Sequence, residues 1–221
     1  MIKATALALA LATATAGHAL TYTVAPGAPD PGPAAGQSIL VDFNSATLPA
    51  GYTLTGAYTY ATGTTNAGAA PAGDKTQYLY VSSALSPNNA TLTTAFDLSK
   101  ISFYWGSIDK YNSVDVLGAG GVTLGSFGGS LFPPSDGDQH MATSNERVSF
   151  TASTGEVITG LRFTSTGVAF EVDDIAGTPA GDGNANGVVP EPAAWALMIG
   201  GFGMVGVASR RRRSAISTVA A

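Results

Sequence analysis

The side chains best suited to chemistry in this sequence are oxygen donors near the ends of short apolar runs. Six of them carry carboxylate or amide oxygens: Asp109, Asn112, Asp115, Glu171, Asp173 and Asp174. Calcium is a hard cation that takes such oxygens as ligands, often from residues in loops. The set makes calcium the one candidate cofactor, and a solvated acidic surface without metal is the competing interpretation.

Paired carboxylates also carry out glycoside hydrolysis. Glu171 and Asp173 are two positions apart on a predicted strand, so they share a face and lie about 6.8 Å apart along it. Every i, i+2 pair has this spacing, and exposed strand acids are the competing interpretation. His140 is the one histidine outside the N-terminal segment, and no Gly-x-Ser-x-Gly motif is present. The sequence predicts a body without catalytic residues, with a secreted glycan hydrolase as the alternative.

Composition excludes several classes of protein. The 221 residues contain no cysteine, so disulfide scaffolds, thiolate metal sites and cysteine nucleophiles are excluded. Charged residues make up only 11% of the chain, and the formal net charge of −5 argues against a nucleic-acid partner. The apolar fraction of 45% is that of a folded protein.

The elements that would position the acidic residues have a β pattern. Ten short runs are predicted as strands: 38–43, 52–61, 76–83, 90–96, 100–106, 113–117, 121–124, 147–151, 157–165 and 168–175. In one of them Ile101, Phe103 and Trp105 alternate with polar residues, as in a half-buried strand. Residues 38–176 are therefore predicted to form an all-β, two-sheet β-sandwich of jelly-roll or lectin-like type, with a closed barrel as the alternative.

Aromatic side chains in this region offer a further binding feature. Seven of them could form a sugar-stacking face or pack across strands: Tyr58, Tyr60, Tyr78, Tyr80, Tyr104, Trp105 and Tyr111. Adhesion or polysaccharide contact is therefore the predicted role of the body. A calcium-stabilised, lectin-like carbohydrate-binding module is a refinement of that prediction.

The N-terminus has the three parts of a secretory signal peptide. Lys3 supplies the positive start, and an uncharged run follows to Ala16. Small residues precede a predicted cleavage after Ala19, and Ala14-Thr15-Ala16 is a second candidate site. A buried N-terminal helix is the competing interpretation. Residues 1–19 are therefore predicted to direct export through the Sec machinery.

The C-terminus contains an ordered motif followed by an uncharged run. Five residues open it: Pro190, Glu191, Pro192, Trp195 and Ala196. The uncharged residues 193–209 would span roughly 25 Å as a helix, enough for a thin bilayer. Four basic residues then mark the cytoplasmic end: Arg210, Arg211, Arg212 and Arg213.

Residues 190–213 resemble a PEP-CTERM sorting signal of the PEPxxWA variant. The resemblance implies a Gram-negative bacterial protein that is exported, held transiently in the inner membrane and cut near the Pro-Glu-Pro motif by the protease exosortase. It further implies release or anchoring at the cell surface or in the extracellular matrix, often with exopolysaccharide. It implies nothing about the chemistry of the body.

These features divide the chain into six predicted segments. They are a signal peptide at 1–19, a Pro-rich linker at 20–37, the β-domain at 38–176, a Gly-rich linker at 177–189, the sorting and anchor segment at 190–213 and a cytoplasmic tail at 214–221. Removal of 1–19 and 190–221 leaves five basic and fourteen acidic residues, a formal charge of −9. The acidic body disfavours anionic partners.

Overall fold

The computed structural model describes residues 20–45 and 47–181. The predicted signal peptide and its cleavage at Ala19 lie outside these residues. The predicted sorting segment at 190–213, including its membrane helix, and the tail at 214–221 also lie outside them. None of the described residues forms a helix with the length and apolarity required to cross a membrane.

The described residues form antiparallel β-structure. Eleven strands follow one another along the chain: β1 (Thr21–Pro26), β2 (Ser38–Val41), β3 (Tyr52–Gly56), β4 (Thr59–Thr62), β5 (Gln77–Val81), β6 (Asn89–Gly106), β7 (Asn112–Gly118), β8 (Thr123–Gly128), β9 (Glu146–Thr151), β10 (Ile158–Ser165) and β11 (Phe170–Pro179). Three short 3-10 helices lie between strands, at Ala119–Gly121, Gly129–Leu131 and Ala142–Ser144. The prediction of an all-β fold is confirmed.

Strand β6 connects two sets of strands because its partners change along its 18 residues. Its first half pairs with β3 and β10, and β10 continues through β7 to β8. Its second half pairs with β9 and β11, which continue to β1 on one side and to β5 and β2 on the other. Hydrogen bonds therefore join all eleven described strands in one network.

The core lies where aromatic rings of the two sets meet. Phe103 of β6 contacts Phe163 of β10 edge-on, with ring centroids 5.4 Å apart. Trp105 stacks on Phe170 of β11 at 4.4 Å and an interplanar angle of 13°. Phe127 of β8 lies 4.7 Å from Phe150 of β9. Ring pairs at these separations add to the stabilisation from apolar burial.

Several element boundaries differ from the sequence prediction, and the predicted run 52–61 forms two strands, β3 and β4. The predicted runs 90–96 and 100–106 form one strand, because Leu98 between them is buried and pairs with both β10 and β11. Residues 21–26 belong to the predicted Pro-rich linker, yet they form β1 on the edge of β9. The two-sheet division of a sandwich stays a prediction, since β6 belongs to both sets.

The rest of the predicted linker is attached to β9 by a buried ion pair. Arg147 is 1% exposed, and its Nε donates to Asp30 Oδ1 at 2.9 Å while its Nη2 contacts Asp30 Oδ2. Its Nη1 also donates to the Ser102 hydroxyl and to the Asp174 carbonyl oxygen. A bidentate pair of this kind holds residues 27–37 against the outer face of β9 and β6.

Removing Asp30 should destabilise the protein strongly. The D30A variant leaves the Arg147 guanidinium buried without its carboxylate, which costs about 3–5 kcal/mol of unfolding free energy. Urea unfolding of the full-length chain at neutral pH measures the change. The matched variant D97A removes an exposed carboxylate and should stay within about 0.5 kcal/mol of the wild type. Equal stability of the two variants would contradict the structural role of the pair.

Candidate functional site

The segment between β4 and β5, residues 63–76, covers the outer face of β6 and β11. The Tyr104 hydroxyl of β6 donates to the Ala72 carbonyl oxygen at 2.9 Å. A Cβ at Gly106 would lie 2.8 Å from the Pro71 Cα, so the absence of a side chain at Gly106 permits this close approach. On the far side, the Ala72 N–H donates to Asn145 Oδ1 at 3.1 Å.

This cover buries two carboxylic acids of β11, Glu171 and Asp173, each 2% exposed. Both alternate with the core residue Val172, so they share the outer face as the sequence predicts. The interpretation as exposed strand acids is wrong, because residues 63–76 lie over them. A buried carboxyl favours its neutral form unless it is paired with a cation.

Glu171 is held by two donors. The Ala69 N–H donates to its Oε1 at 2.9 Å, and the Ser107 hydroxyl donates to its Oε2 at 3.1 Å. Burial nevertheless raises the pKa of Glu171 to about 8, because these two hydrogen bonds offset only part of the loss of hydration. Glu171 is therefore predominantly protonated at neutral pH.

Glu171 lines a polar cavity of about 260 Å³, which we call the Glu171 cleft. Its lining combines carboxyl, hydroxyl and amide side chains with backbone: Thr65, Asn66, Gly68, Ala69, Ser107, Asp109, Tyr111, Asp136, Gly137, Gln139, Val168 and Glu171. No basic side chain is among these described residues. The cleft therefore suits a ligand rich in hydroxyl groups and disfavours an anion.

Tyr111 forms one wall of the Glu171 cleft. Its hydroxyl lies 2.5 Å from Asp109 Oδ2, to which it donates, and 2.6 Å from the Val168 carbonyl oxygen. A Cβ at Gly167 would lie 2.6 Å from the ring, so the ring packs on the backbone of that glycine. The tyrosine is thereby fixed with an aromatic surface beside the polar lining.

The carboxyl groups of this cleft differ in their acidity. Burial raises the pKa of Asp109, the Tyr111 hydrogen bond lowers it, and the Asp136 carboxylate raises it again. The Ser144 hydroxyl donates to Asp136 Oδ1 at 2.7 Å and lowers the pKa of that exposed carboxyl. The cleft thus holds a protonated acid at Glu171 and an ionised one at Asp136.

A second cavity of about 450 Å³, the Asp173 cleft, is bordered by the end of the same segment, residues 73–76. Its lining comes from residues 27–37, residues 63–76, β6 and β11: Pro29, Asp30, Gly73, Asp74, Lys75, Thr76, Tyr104, Asp173 and Asp174. Burial raises the pKa of Asp173 to about 9, and the carboxylates of Asp174 and Asp74 contribute to the increase. The Thr76 hydroxyl donates to Asp173 Oδ2 at 3.3 Å.

The six predicted calcium ligands do not come together. Asp109 and Glu171 line one cleft, while Asp173 and Asp174 line the other. The remaining two have protein partners: Asn112 donates to the Ala169 carbonyl oxygen, and Asp115 accepts from Arg162 Nε at 3.0 Å. In the part of the chain that the structure describes, no group of three or more histidine or acidic residues is arranged to hold a metal ion.

Several residues of the clefts carry no signal in the sequence. The fold, and no local motif, brings three groups to Glu171 or its cleft: Ser107, Gln139 and the Ala69 N–H. The glycine and alanine content of 63–76 indicates a loop, but nothing in it indicates that the loop covers β11. His140 lies in its polar loop with a side chain that is 94% exposed.

Comparison with known protein families identifies a motif near the C-terminus. The model of the PEP-CTERM protein-sorting motif matches residues 188–213. The chain carries a PEP-CTERM sorting motif. This confirms the resemblance drawn from Pro190 to Arg213, and it indicates an exported protein whose sorting depends on exosortase. No curated protein and no solved structure matches the chain.

The stability of the protein should fall as the pH rises. Burial raises the pKa of the Glu171 carboxyl from 4.5 to about 8 in the folded chain, so between about pH 5 and 8 the unfolded chain loses this proton while the folded chain mostly keeps it. The loss at pH 8 should reach about 4 kcal/mol of unfolding free energy, at roughly 1.4 kcal/mol per tenfold change in proton affinity.

Urea unfolding of the full-length chain from pH 5 to 8 tests this expectation. The E171Q variant keeps an acceptor for the Ala69 N–H and should show a flatter dependence on pH than the wild type. The D97N variant changes an exposed carboxylate and should follow the wild type. If the unfolding free energy of E171Q still falls steeply with pH, other groups cause the effect. Asp173, the other buried carboxyl with a strongly raised pKa, would then be tested next.

Proposed function

We propose that this protein is a surface or extracellular-matrix protein whose non-catalytic body contacts polysaccharide through the Glu171 cleft. The PEP-CTERM motif supports export and exosortase-dependent sorting. In this proposal the Sec machinery exports the chain, the inner membrane holds it transiently, and exosortase cleavage precedes release or anchoring at the cell surface. The body then remains outside the cell.

The lining of the Glu171 cleft is the observation that carries the proposal. Carboxylate, hydroxyl and amide groups there offer the alternating donors and acceptors that sugar hydroxyls require. Tyr111 and the exposed Val168 add an apolar surface beside them, which suits the less polar face of a sugar ring. The absence of basic side chains from this described lining favours a neutral polysaccharide.

The arrangement of the strands supports a binding module. Ring contacts between the set containing β10 and β8 and the set containing β9 and β11 are those expected of two packed layers. We infer a β-sandwich, jelly-roll or lectin-like, in which β6 passes from one layer to the other. The Glu171 cleft lies on the outer side of one layer.

Replacing Asp109 should weaken polysaccharide binding. The D109N variant replaces one acceptor oxygen of the cleft by an amide NH2 group, which can only donate, so affinity should fall about tenfold, equivalent to about 1.4 kcal/mol. Retention of the full-length chain on the immobilised neutral exopolysaccharide of the producing cells measures this. The matched D97N variant should bind like the wild type. Equal retention of both variants, or no retention of the wild type, would overturn the binding role of the cleft.

A second candidate function is glycan hydrolysis, favoured by the divergent acidity of two carboxyls in one cleft. Glu171 is protonated at neutral pH and Asp136 is ionised, as a general acid and a base would be. This hypothesis pairs Glu171 with Asp136. The sequence suggested Asp173 as the partner of Glu171, but those two residues line different clefts.

Release of reducing ends from the same polysaccharide tests the hydrolase. If the hypothesis holds, the wild type releases them and both E171Q and D136N lose at least about 100-fold in rate, since each removes a proton-transfer group. D97N should retain full activity. The absence of product with the wild type, or unchanged activity in E171Q, would remove this candidate and leave the binding role in place.

Stabilisation of the body by bound calcium is a third proposal, which ranks below polysaccharide binding and hydrolysis. It rests on the acidic character of Asp109, Glu171, Asp173 and Asp174, which the fold separates into two clefts. The thermal midpoint of the full-length chain in calcium, compared with that in a chelator, distinguishes a calcium-stabilised lectin-like module from a metal-free one.

A further inference from the structure

Strand β1 ends the row of strands that runs through β9 to the second half of β6. It pairs with β9 alone among the described strands, so its other edge presents unpaired backbone N–H and C=O groups. All six of its residues are exposed. An edge of this kind accepts a further strand unless charges, a bulge or proline protect it.

The side chains of β1 that face the core are only half covered. Tyr22 lies opposite Phe150 and contacts Phe127 and Phe132 edge-on, with centroids 5.4 and 5.5 Å away, yet it is 40% exposed. Val24 lies opposite the fully buried Val148 and is 42% exposed. The apolar interior is therefore incomplete along this edge.

The chemistry of β1 favours a second copy of the same chain as the missing neighbour. Its sequence, Thr-Tyr-Thr-Val-Ala-Pro, has no charged side chain, whereas the body between the predicted signals has a formal charge of −9 and stays acidic even with Glu171 and Asp173 neutral. Contact through most other surfaces of two such bodies would bring acidic residues together. Contact through β1 avoids this repulsion.

We propose that two copies of the protein associate through antiparallel pairing of their β1 edges about a two-fold axis at Thr23. In this register Tyr22 of each copy lies opposite Val24 of the partner subunit, and Thr21 lies opposite Ala25 of the partner subunit. Aromatic and β-branched side chains form favourable cross-strand pairs. Each half-exposed apolar side chain thereby gains a partner.

The proposed pairing register also fits the two ends of β1. Five residues, Thr21 to Ala25, are symmetric about Thr23, and Pro26, which has no N–H to donate, falls at the end of the pairing. The contact is isologous, so it closes at a dimer and does not continue into a fibre. It extends the set of strands containing β9 across the two-fold axis and is independent of both clefts.

Disulfide crosslinking tests the two-fold axis directly, because the natural chain has no cysteine. Thr23 would lie opposite its own copy, at a Cα separation of about 4.5–5.5 Å that a disulfide spans. The full-length T23C variant, oxidised with copper phenanthroline, should migrate as a dimer on a non-reducing gel.

The matched variant T123C places cysteine on β8, the terminal strand of the other set, where Thr123 is also exposed. On the same gel it should migrate as a monomer, because its cysteine lies away from the proposed axis. Equal crosslinking of the two variants, or none at Thr23, would overturn the proposal.

A charge at the axis provides a test that does not depend on cysteine. The T23K variant places two lysines directly opposite each other and should weaken dimerisation roughly fivefold or more. In T21K the lysine lies opposite Ala25 of the partner subunit, so dimerisation should change much less. Both threonines are exposed, and circular dichroism should show an unaltered fold. Light scattering of the full-length chain should give twice the monomer mass for the wild type; a monomeric wild type, or equal effects of the two lysines, would contradict the pairing.

Discussion

The pairing of β6 along both of its edges is the constraint on which the other elements depend. Its first half fixes the registers of β3 and β10, and its second half fixes those of β9 and β11. Because side chains alternate along a strand, the pairing of its second half directs Ile101, Phe103 and Trp105 into the core. It also places Ser102, Tyr104 and Gly106 on the outer face, where the two covering segments attach.

The outer face of the second strand set is polar and covered, which couples the stability of the fold to its clefts. Arg147 with Asp30 anchors residues 27–37 there, and Glu171 with Tyr104 anchors residues 63–76. Arg147 retains an opposite charge, whereas Glu171 and Asp173 are buried beside other acids. The same cover that shapes the clefts therefore holds two carboxyls in their neutral forms.

Local pattern accounts for most of the strands and for few of the contacts at the clefts. The alternation at Ile101, Phe103 and Trp105 predicts a strand with the correct buried face, and the i, i+2 spacing correctly places Glu171 and Asp173 on one side. Their burial was not predictable, because Ala69 meets Glu171 across 102 residues of chain. The strand character of residues 21–26 was equally hidden, since a partner at β9 decides it and the nearby prolines indicate a linker.

The amino-acid sequence by itself determined the export address, the all-β class and the exclusion of cysteine chemistry. These properties depend on residue types and short spacings: Pro190 to Ala196 before an uncharged run and arginines, and apolar residues with a period of two. The tertiary structure alone decided which carboxyls meet, that Asp109 and Glu171 share a cleft while Asp173 and Asp174 line another, and that β1 pairs with β9 alone among the described strands. Such features depend on contacts between residues distant in the chain, and the fold selects those contacts by packing the whole molecule around β6.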